Sequence, residues 1–268
     1  MPSPDWKDLA RRQLADYDAR DPGRMFAEAP VITSAAEAYQ LQIEIANLRI
    51  ARGERLAGYK IGCVSDVVRN QLGMDSPLFG HVFSSEIRRS GAELDPVGFA
   101  NLAIEGEFAV RLASDVADSD WMRNHKAEAL AAAFPVIELH NYVLRGQQRA
   151  LELIANNGLH AGVVIPAEET VVNDPDRLRE ASISVLRNGH TIGQTTGNAI
   201  PGGPFGALCQ IVDQLGLYGI RLKKDQLVLT GSPLPLYPVM PGDSIEVLTG
   251  GLGRVTAAIL TGCRMGHL

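Results

Sequence analysis

The chain has 268 residues, 46% hydrophobic and 21% charged, with a formal net charge of −6. This is the composition of a globular protein with a substantial core, and an acidic balance without any basic run argues against a nucleic-acid partner. No apolar run reaches eighteen residues, and the N-terminus lacks the basic and apolar regions of a signal peptide, so no membrane partner and a cytoplasmic location are expected.

Cys63, Cys209 and Cys263 are odd in number and share no metal-ligand spacing, which points to reduced thiols. The 27 glycines and 15 prolines imply many tight turns, as in a strand-rich protein.

Residues 4–20 mix charge with Leu9, Leu14 and Ala15 and predict a first helix. A connection with two prolines follows over residues 22–32. Thr33 or Ser34 then caps a second helix with Glu37 in its first turn, Tyr39, Ile43, Ala46 and Ile50 at helical spacing, and Gly53 as its stop. Residues 1–57 thus read as a helical N-terminal segment, and 58–268 as a β-rich domain.

Gly58-Tyr59-Lys60-Ile61-Gly62 opens that domain with a lysine that could simply snorkel from a strand. Residues 64–72 predict a short helix ending at Gly73, and Phe79–Phe83 a strand.

In the stretch 102–112, Leu102, Ile104, Phe108, Val110 and Leu112 share one strand face, while Glu105 and Glu107 share the other. Two like charges on one face are tolerable if both reach water, or if a divalent cation sits between them.

Lys126–Ala133 is alanine-rich and predicts a helix closed by Pro135. Pro135–His140 then reads as a strand with one acid, Glu138, in an apolar run; it needs a partner, either a shared cation or a lysine or arginine.

Residues 150–165 run from helix through Asn156-Asn157-Gly158 into a strand ending at Pro166. Ile183–Arg187, Asn188-Gly189 and His190–Thr195 form a hairpin signal, and Phe205, Leu208, Ile211, Val212 and Leu215 mark an amphipathic helix. Gln226–Gly231 reads as a buried strand, and the residues after Pro241-Gly242-Asp243 as a last hairpin turning at Gly250-Gly251. The sum is an α+β fold.

Six of these motifs in order resemble the fumarylacetoacetate hydrolase superfamily: Gly58–Gly62, Glu105-x-Glu107, Pro135–Glu138, Asn156-Asn157, Thr230-Gly231-Ser232 and Pro241-Gly242-Asp243. Within it the chain resembles the branch of 2-hydroxypenta-2,4-dienoate (2-keto-4-pentenoate) hydratases and 4-oxalocrotonate decarboxylases, over residues 34–262. The resemblance implies a β-rich fold enclosing Mg²⁺ or Mn²⁺, with Glu105, Glu107 and Glu138 as ligands. It further implies Lys60 as the active-site lysine, and a substrate pocket lined by Asn157, Thr230, Gly231 and Ser232.

A 2-oxo acid could chelate an octahedral cation held by three carboxylates, and the cation would offset the charge of a dienolate. A neighbouring cation would also lower the pKa of Lys60, which could then move protons. The implied activity is hydration of a 2-hydroxyalka-2,4-dienoate to a 4-hydroxy-2-oxo acid in aromatic-compound catabolism. Homo-oligomers, and association with a paralogous decarboxylase or hydratase, are also implied.

Three departures remove carboxylates: Leu78, Asn141 and Asn156 stand where this branch commonly has acids. The neutral Leu78 removes a candidate for activating water, which keeps open decarboxylation of 2-oxo-3-hexenedioate and a non-catalytic partner subunit. His140 and His160 are companions that could replace such a group. The hydrolytic branch's His-x-x-Glu is spelled only by His125–Glu128, downstream of the acidic strand, and is read as coincidence.

Overall fold

The computed structural model describes residues 5–27, 32–172 and 174–261. Cys263 and part of the expected first connection, residues 28–31, lie outside these.

Two helices, α1 (Trp6–Asp18) and α2 (Ala35–Ala51), precede β1 (Leu56–Gly62), α3 (Asp66–Leu72), β2 (Leu78–Phe83), β3 (Ile87–Arg89) and β4 (Ala92–Leu94). The middle of the chain holds β5 (Leu102–Leu112), α4 (Ser119–Asn124), α5 (Lys126–Ala129), β6 (Leu130–Asn141), α6 (Arg149–Ala155), β7 (His160–Ile165) and β8 (Thr170–Val171). The last third holds β9 (Ser182–Arg187), β10 (His190–Thr196), α7 (Gly203–Gly216), β11 (Leu227–Leu229), β12 (Tyr237–Pro238), β13 (Ser244–Thr249) and β14 (Gly253–Ile259).

Local chemistry sets most of these boundaries. Asp5 accepts from the backbone N–H groups of Lys7 and Asp8 at the start of α1. Ser34 caps α2 through the Glu37 N–H, while Glu37 reaches back to the N–H and hydroxyl of Thr33. Gly73 ends α3 in the left-handed conformation, and Asn188-Gly189, both at positive φ, make the two-residue turn between β9 and β10.

Two mixed sheets result. One runs β2-β1-β11-β5-β6-β7-β3, with β12 beside β5 and β8 beside β6; the other runs β10-β9-β13-β14-β4. The sheets dock at β5, where a Cβ on Gly106 would lie 2.6 Å from Val185 and 3.2 Å from Val247. Gly106 therefore lets the second sheet pack against the strand between Glu105 and Glu107. One hydrophobic cluster takes in Leu9, Tyr39 and Leu41 from the first two helices together with Phe79, Phe108 and Val185 from the sheets. Among the described residues, no helix is long and apolar enough to cross a membrane.

One expected element is corrected. The helix expected over Lys126–Ala133 stops at Ala129, and Leu130–Phe134 already belong to β6. Alanine is a strong helix former, but tertiary pairing overrides intrinsic propensity, and here the residues pair with the long strand β5, Phe134 opposite Ala109 and Ala133 opposite Val110. Pro135 sits inside this strand without disrupting it. Its partner Phe108 gives its carbonyl to Thr230 on the other side, so Phe108 and Pro135 form a non-hydrogen-bonded pair. The missing N–H of Pro135 then faces the gap between β7, which pairs with Ile137–His140, and β8, which pairs with Ala132 and Ala133.

Candidate active site and metal centre

Four buried strands bring the predicted polar residues to one place. Glu105 and Glu138 lie directly opposite each other across β5 and β6. Glu107 is two residues along β5 on the same face, and Lys60 enters from β1, separated from β5 by β11. Glu138 is fully buried, Glu107 is 1% exposed, and the side chain of Glu105 is 21% exposed. The acidic pair on β5 is therefore an interior feature and not a solvated edge.

Glu138 is the hub. Its Oε1 lies 2.9 Å from Lys60 Nζ and 2.7 Å from His160 Nδ1. Lys60 Nζ also donates to the carbonyl of Gly158 at 3.1 Å. Gly158 has φ +62, and a Cβ there would meet Lys60 Cε at 2.7 Å and Leu78 Cδ1 at 2.9 Å. Glycine at 158 thus serves two needs at once, the left-handed turn and room for the lysine.

Three carboxylates against one lysine leave two negative charges in a site closed to water on most sides, and the protein resolves this by splitting the acids. Burial, reinforced by the charges of Glu138 and Glu105, pushes Glu107 well above the usual carboxylate range, and it hydrogen-bonds Glu138. Burial acts on Glu138 in the same direction but is overcome by Lys60, His140 and His160, which hold it well below that range. Burial works to lower Lys60, yet the charges of Glu138, Glu105 and Glu107 prevail and raise it. The lowering expected from the sequence thus requires a bound cation.

The residues fit such a cation. Glu138 Oε2 and His140 Nε2 are buried with no hydrogen-bond donor or acceptor paired to them, apart from a proton that Glu107 could share with Glu138. Glu105, Glu138 and His140 each offer a ligand atom within 4.8 Å of the others. A pair of strand-borne carboxylates with an unpaired imidazole is a donor set suited to a divalent ion.

The segment after β11 closes one wall. Thr230 donates from both its N–H and its hydroxyl to the carbonyl of Phe108, Gly231 N–H donates to Glu107 Oε2 at 3.0 Å, and Ser232 Oγ lies 2.7 Å from Leu234 O, its nearer acceptor, and 3.2 Å from Gly106 O. Gly231 sets Glu107 in place, and the two hydroxyls are committed to backbone. Asn157, expected to line the pocket, clamps β2: its Oδ1 accepts from His81 N–H and its Nδ2 donates to His81 O. Through Asn157, Leu159 and His160 this turn also lines a cavity of about 40 Å³ reaching Gln13, Gln42 and Arg49.

Leu78 is buried. A Cβ on Gly62 would touch Leu78 Cδ1 and Lys60 Nζ at 3.5 Å each, so an apolar side chain borders the lysine where an acid was expected. His125 stacks on Trp121 and pairs with that residue's carbonyl, in keeping with the coincidental reading of His125–Glu128. Cys63 and Cys209 are free thiols. The sequence reading missed the carbonyl of Gly158, which no side-chain motif announces. It also missed Glu86, whose Oε2 lies 3.8 Å from His160 Nε2 and whose spacing carried no signal.

No family model matches the chain. Among curated relatives, 2-hydroxyhexa-2,4-dienoate hydratase of Comamonas testosteroni is 29% identical over 220 residues, 81% of this chain and 83% of that protein. The 2-keto-4-pentenoate hydratase of Burkholderia vietnamiensis is 29% identical over 224 residues, 83% and 85% of the two chains. Among solved structures, 4-oxalocrotonate decarboxylase of Pseudomonas putida G7, complexed with magnesium and adipate, superposes with a TM-score of 0.85 at 23% identity over 95% of this chain and 97% of that one. Fumarylpyruvate hydrolase of Pseudomonas aeruginosa, in complex with Mn²⁺ and pyruvate, gives 0.60 at 16% identity over 76% and 89%. The fold is the α+β fold of these enzymes, and the resemblance carried by the ordered motifs holds.

Proposed function

We propose that this chain, a relative of the 2-keto-4-pentenoate hydratases, is a cytoplasmic lyase that adds water to a 2-hydroxyalka-2,4-dienoate and yields a 4-hydroxy-2-oxo acid. The observation that carries the reading is the convergence of Lys60 with Glu105, Glu107 and Glu138 in one buried site, three carboxylates facing a single lysine. Glu105, Glu107 and Glu138 would hold a divalent ion, Mg²⁺ or Mn²⁺, which when bound supplies Lewis-acid stabilisation of negative charge on the substrate's oxygens.

The chain's own groups supply the rest. Lys60, anchored by Glu138 and the Gly158 carbonyl, presents an ammonium that can hydrogen-bond the 2-oxygen and return a proton to carbon. Glu138 keeps that ammonium oriented, and His160 in turn fixes Glu138. Gly231 N–H holds Glu107 against the cluster. Net, the dienol loses its O–H proton and gains one at the chain terminus, and the elements of water add across C3 and C4. Leu78 provides an apolar wall beside the lysine and no base, so the water is activated by a group other than residue 78.

Leu78 also favours a second reading, loss of CO₂ from 2-oxo-3-hexenedioate, since that reaction requires no activated water. The test follows the absorbance of 2-hydroxypenta-2,4-dienoate and of 2-oxo-3-hexenedioate with added divalent ion and with chelator. Ion-dependent decay of the dienol without CO₂ is expected. Release of CO₂ from the second substrate alone would replace hydration by decarboxylation. No change in either substrate would defeat both. Assembly as a homo-oligomer is part of the proposal and is read by light scattering.

A further inference from the structure

We propose that His140 is itself a ligand of the divalent ion, making the site a mixed nitrogen–oxygen centre that favours later first-row ions such as Co²⁺, Ni²⁺ or Zn²⁺ over Mg²⁺ more strongly than three carboxylates would. The inference rests on the reading that a cation belongs at this cluster and adds a donor that neither the sequence motifs nor the relatives' descriptions assign.

The strand places the imidazole. Glu138 and His140 are two residues apart on β6 and point to one face, opposite the face-mates Glu105 and Ala103 of β5. His140 Nε2 lies 3.1 Å from Glu105 Oε2 and 3.5 Å from Glu138 Oε2. Three donor atoms from three side chains thus lie within 4.8 Å of one another, and the two edges at His140 are near the ~3 Å expected between neighbouring ligands on an ion with bonds of about 2.1 Å.

A proton does not satisfy this arrangement. His140 is 3% exposed, yet its Nε2 makes no hydrogen bond to either oxygen although Glu105 Oε2 lies 3.1 Å away. A buried imidazole nitrogen left beside two carboxylates without a hydrogen bond is costly. A metal ion lies off the line joining its ligands, so it can engage all three atoms where a linear hydrogen bond cannot. Glu107 is turned toward Gly231 and Glu138, which leaves His140 as the donor nearest Glu105 outside the carboxylate set.

The donor type then sets the ion. Mg²⁺ takes oxygen ligands and gains little from an imidazole, whereas later first-row ions gain strongly from one. Metal-free protein would be titrated calorimetrically with Mg²⁺ and with Co²⁺, for the native chain, His140→Leu and His140→Gln, with a melting curve for each. The preference for Co²⁺ over Mg²⁺ should shrink by about tenfold or more in both variants, a loss of the size typical for a removed metal-site partner. Independently of any variant, pulsed electron paramagnetic resonance of the native chain loaded with Mn²⁺ should show coupling to a ¹⁴N nucleus.

An unchanged preference in folded variants, or native Mn²⁺ protein without nitrogen coupling, would overturn the inference while leaving the carboxylate reading intact. Failure of the native chain to bind any of these ions would overturn both. Nitrogen coupling in the native chain sustains the inference even if neither variant folds.

Discussion

Among the described residues, the clusters of charge around Arg49 and around Glu138 are built on opposite terms. Behind β2, Arg49 lies between Glu54 at 2.6 Å and Glu86 at 2.8 Å, stacks its guanidinium 3.8 Å over Phe83, and shares Glu86 with the hydroxyl of Tyr17. The remaining oxygen of Glu86 accepts from the N–H of Phe83. Burial would weaken the charge of Arg49, but its two carboxylates outweigh that and strengthen it.

The cluster around Glu138 has three acids against two, and only one side chain there carries a fixed positive charge. One lysine faces three carboxylates, and His140 Nε2 makes no hydrogen bond. A cluster whose hydrogen bonds close on themselves stabilises the fold. One that stays open is kept for something the chain does not contain.

The largest expected effect separates the two by function. Lys60→Met should lower the rate of dienol decay by about 10²–10⁴-fold, the usual share of a group that moves protons, with the native circular dichroism retained. A variant that kept most of its turnover would place the chemistry elsewhere.

Arg49→Met is the converse. It leaves buried Glu86 without its cation, while Glu54 keeps Arg52, and should destabilise by about 3 kcal/mol in urea unfolding, while the rate per folded molecule stays near that of the native chain. A large loss of turnover in still-folded protein would erase the distinction between the clusters.

Between them lies His81, whose ring packs beside Tyr59 and Phe79. Burial, aided by the charge of Arg49 and opposed by Asn157, lowers its pKa to about 4. The folded state holds the neutral ring, so the stability it preserves is complete above the unfolded value near 6.5 and declines as pH falls toward 4. At about 1.36 kcal/mol per tenfold change in proton affinity, roughly 3 kcal/mol is lost across that window. Urea midpoints of the native chain and His81→Phe, taken from pH 7 to pH 4, should diverge by that slope; parallel curves would remove His81 as the cause.

The smallest effect serves as a control. Lys126 and Asp176 form an exposed pair at 2.6 Å, and Lys126→Ala should change stability by less than about 1 kcal/mol and decrease further in importance with salt. A larger change would mean that ion pairing by itself, and not burial, divides the two clusters.

The sequence made the functional cluster legible and the structural one invisible. Glu105, Glu107 and Glu138 stand out because charges at strand period within apolar runs conflict with local pattern, and Lys60 stands out between glycines. Arg49 and Glu86 gave no such signal: each sits among polar or helical neighbours where a charge is ordinary, and only packing buries them. The same limit explains Lys126–Ala133, where alanine content suggested helix and pairing with β5 imposed strand.

The sequence by itself determined the order of the motifs, the caps of α1 and α2, the Asn188-Gly189 hairpin, and the shared face of Glu105 and Glu107. These depend on residues within a few positions of one another, whose φ/ψ preferences and alternation are set locally. Only the tertiary structure decided that Glu105 faces Glu138, that Leu78 borders Lys60, that Gly158 lends its carbonyl to the lysine, and that His140 points at two carboxylates without bonding either. Those relations join residues up to a hundred positions apart. They exist only once the register of β1, β5, β6 and β7 is fixed by burying the rest of their side chains.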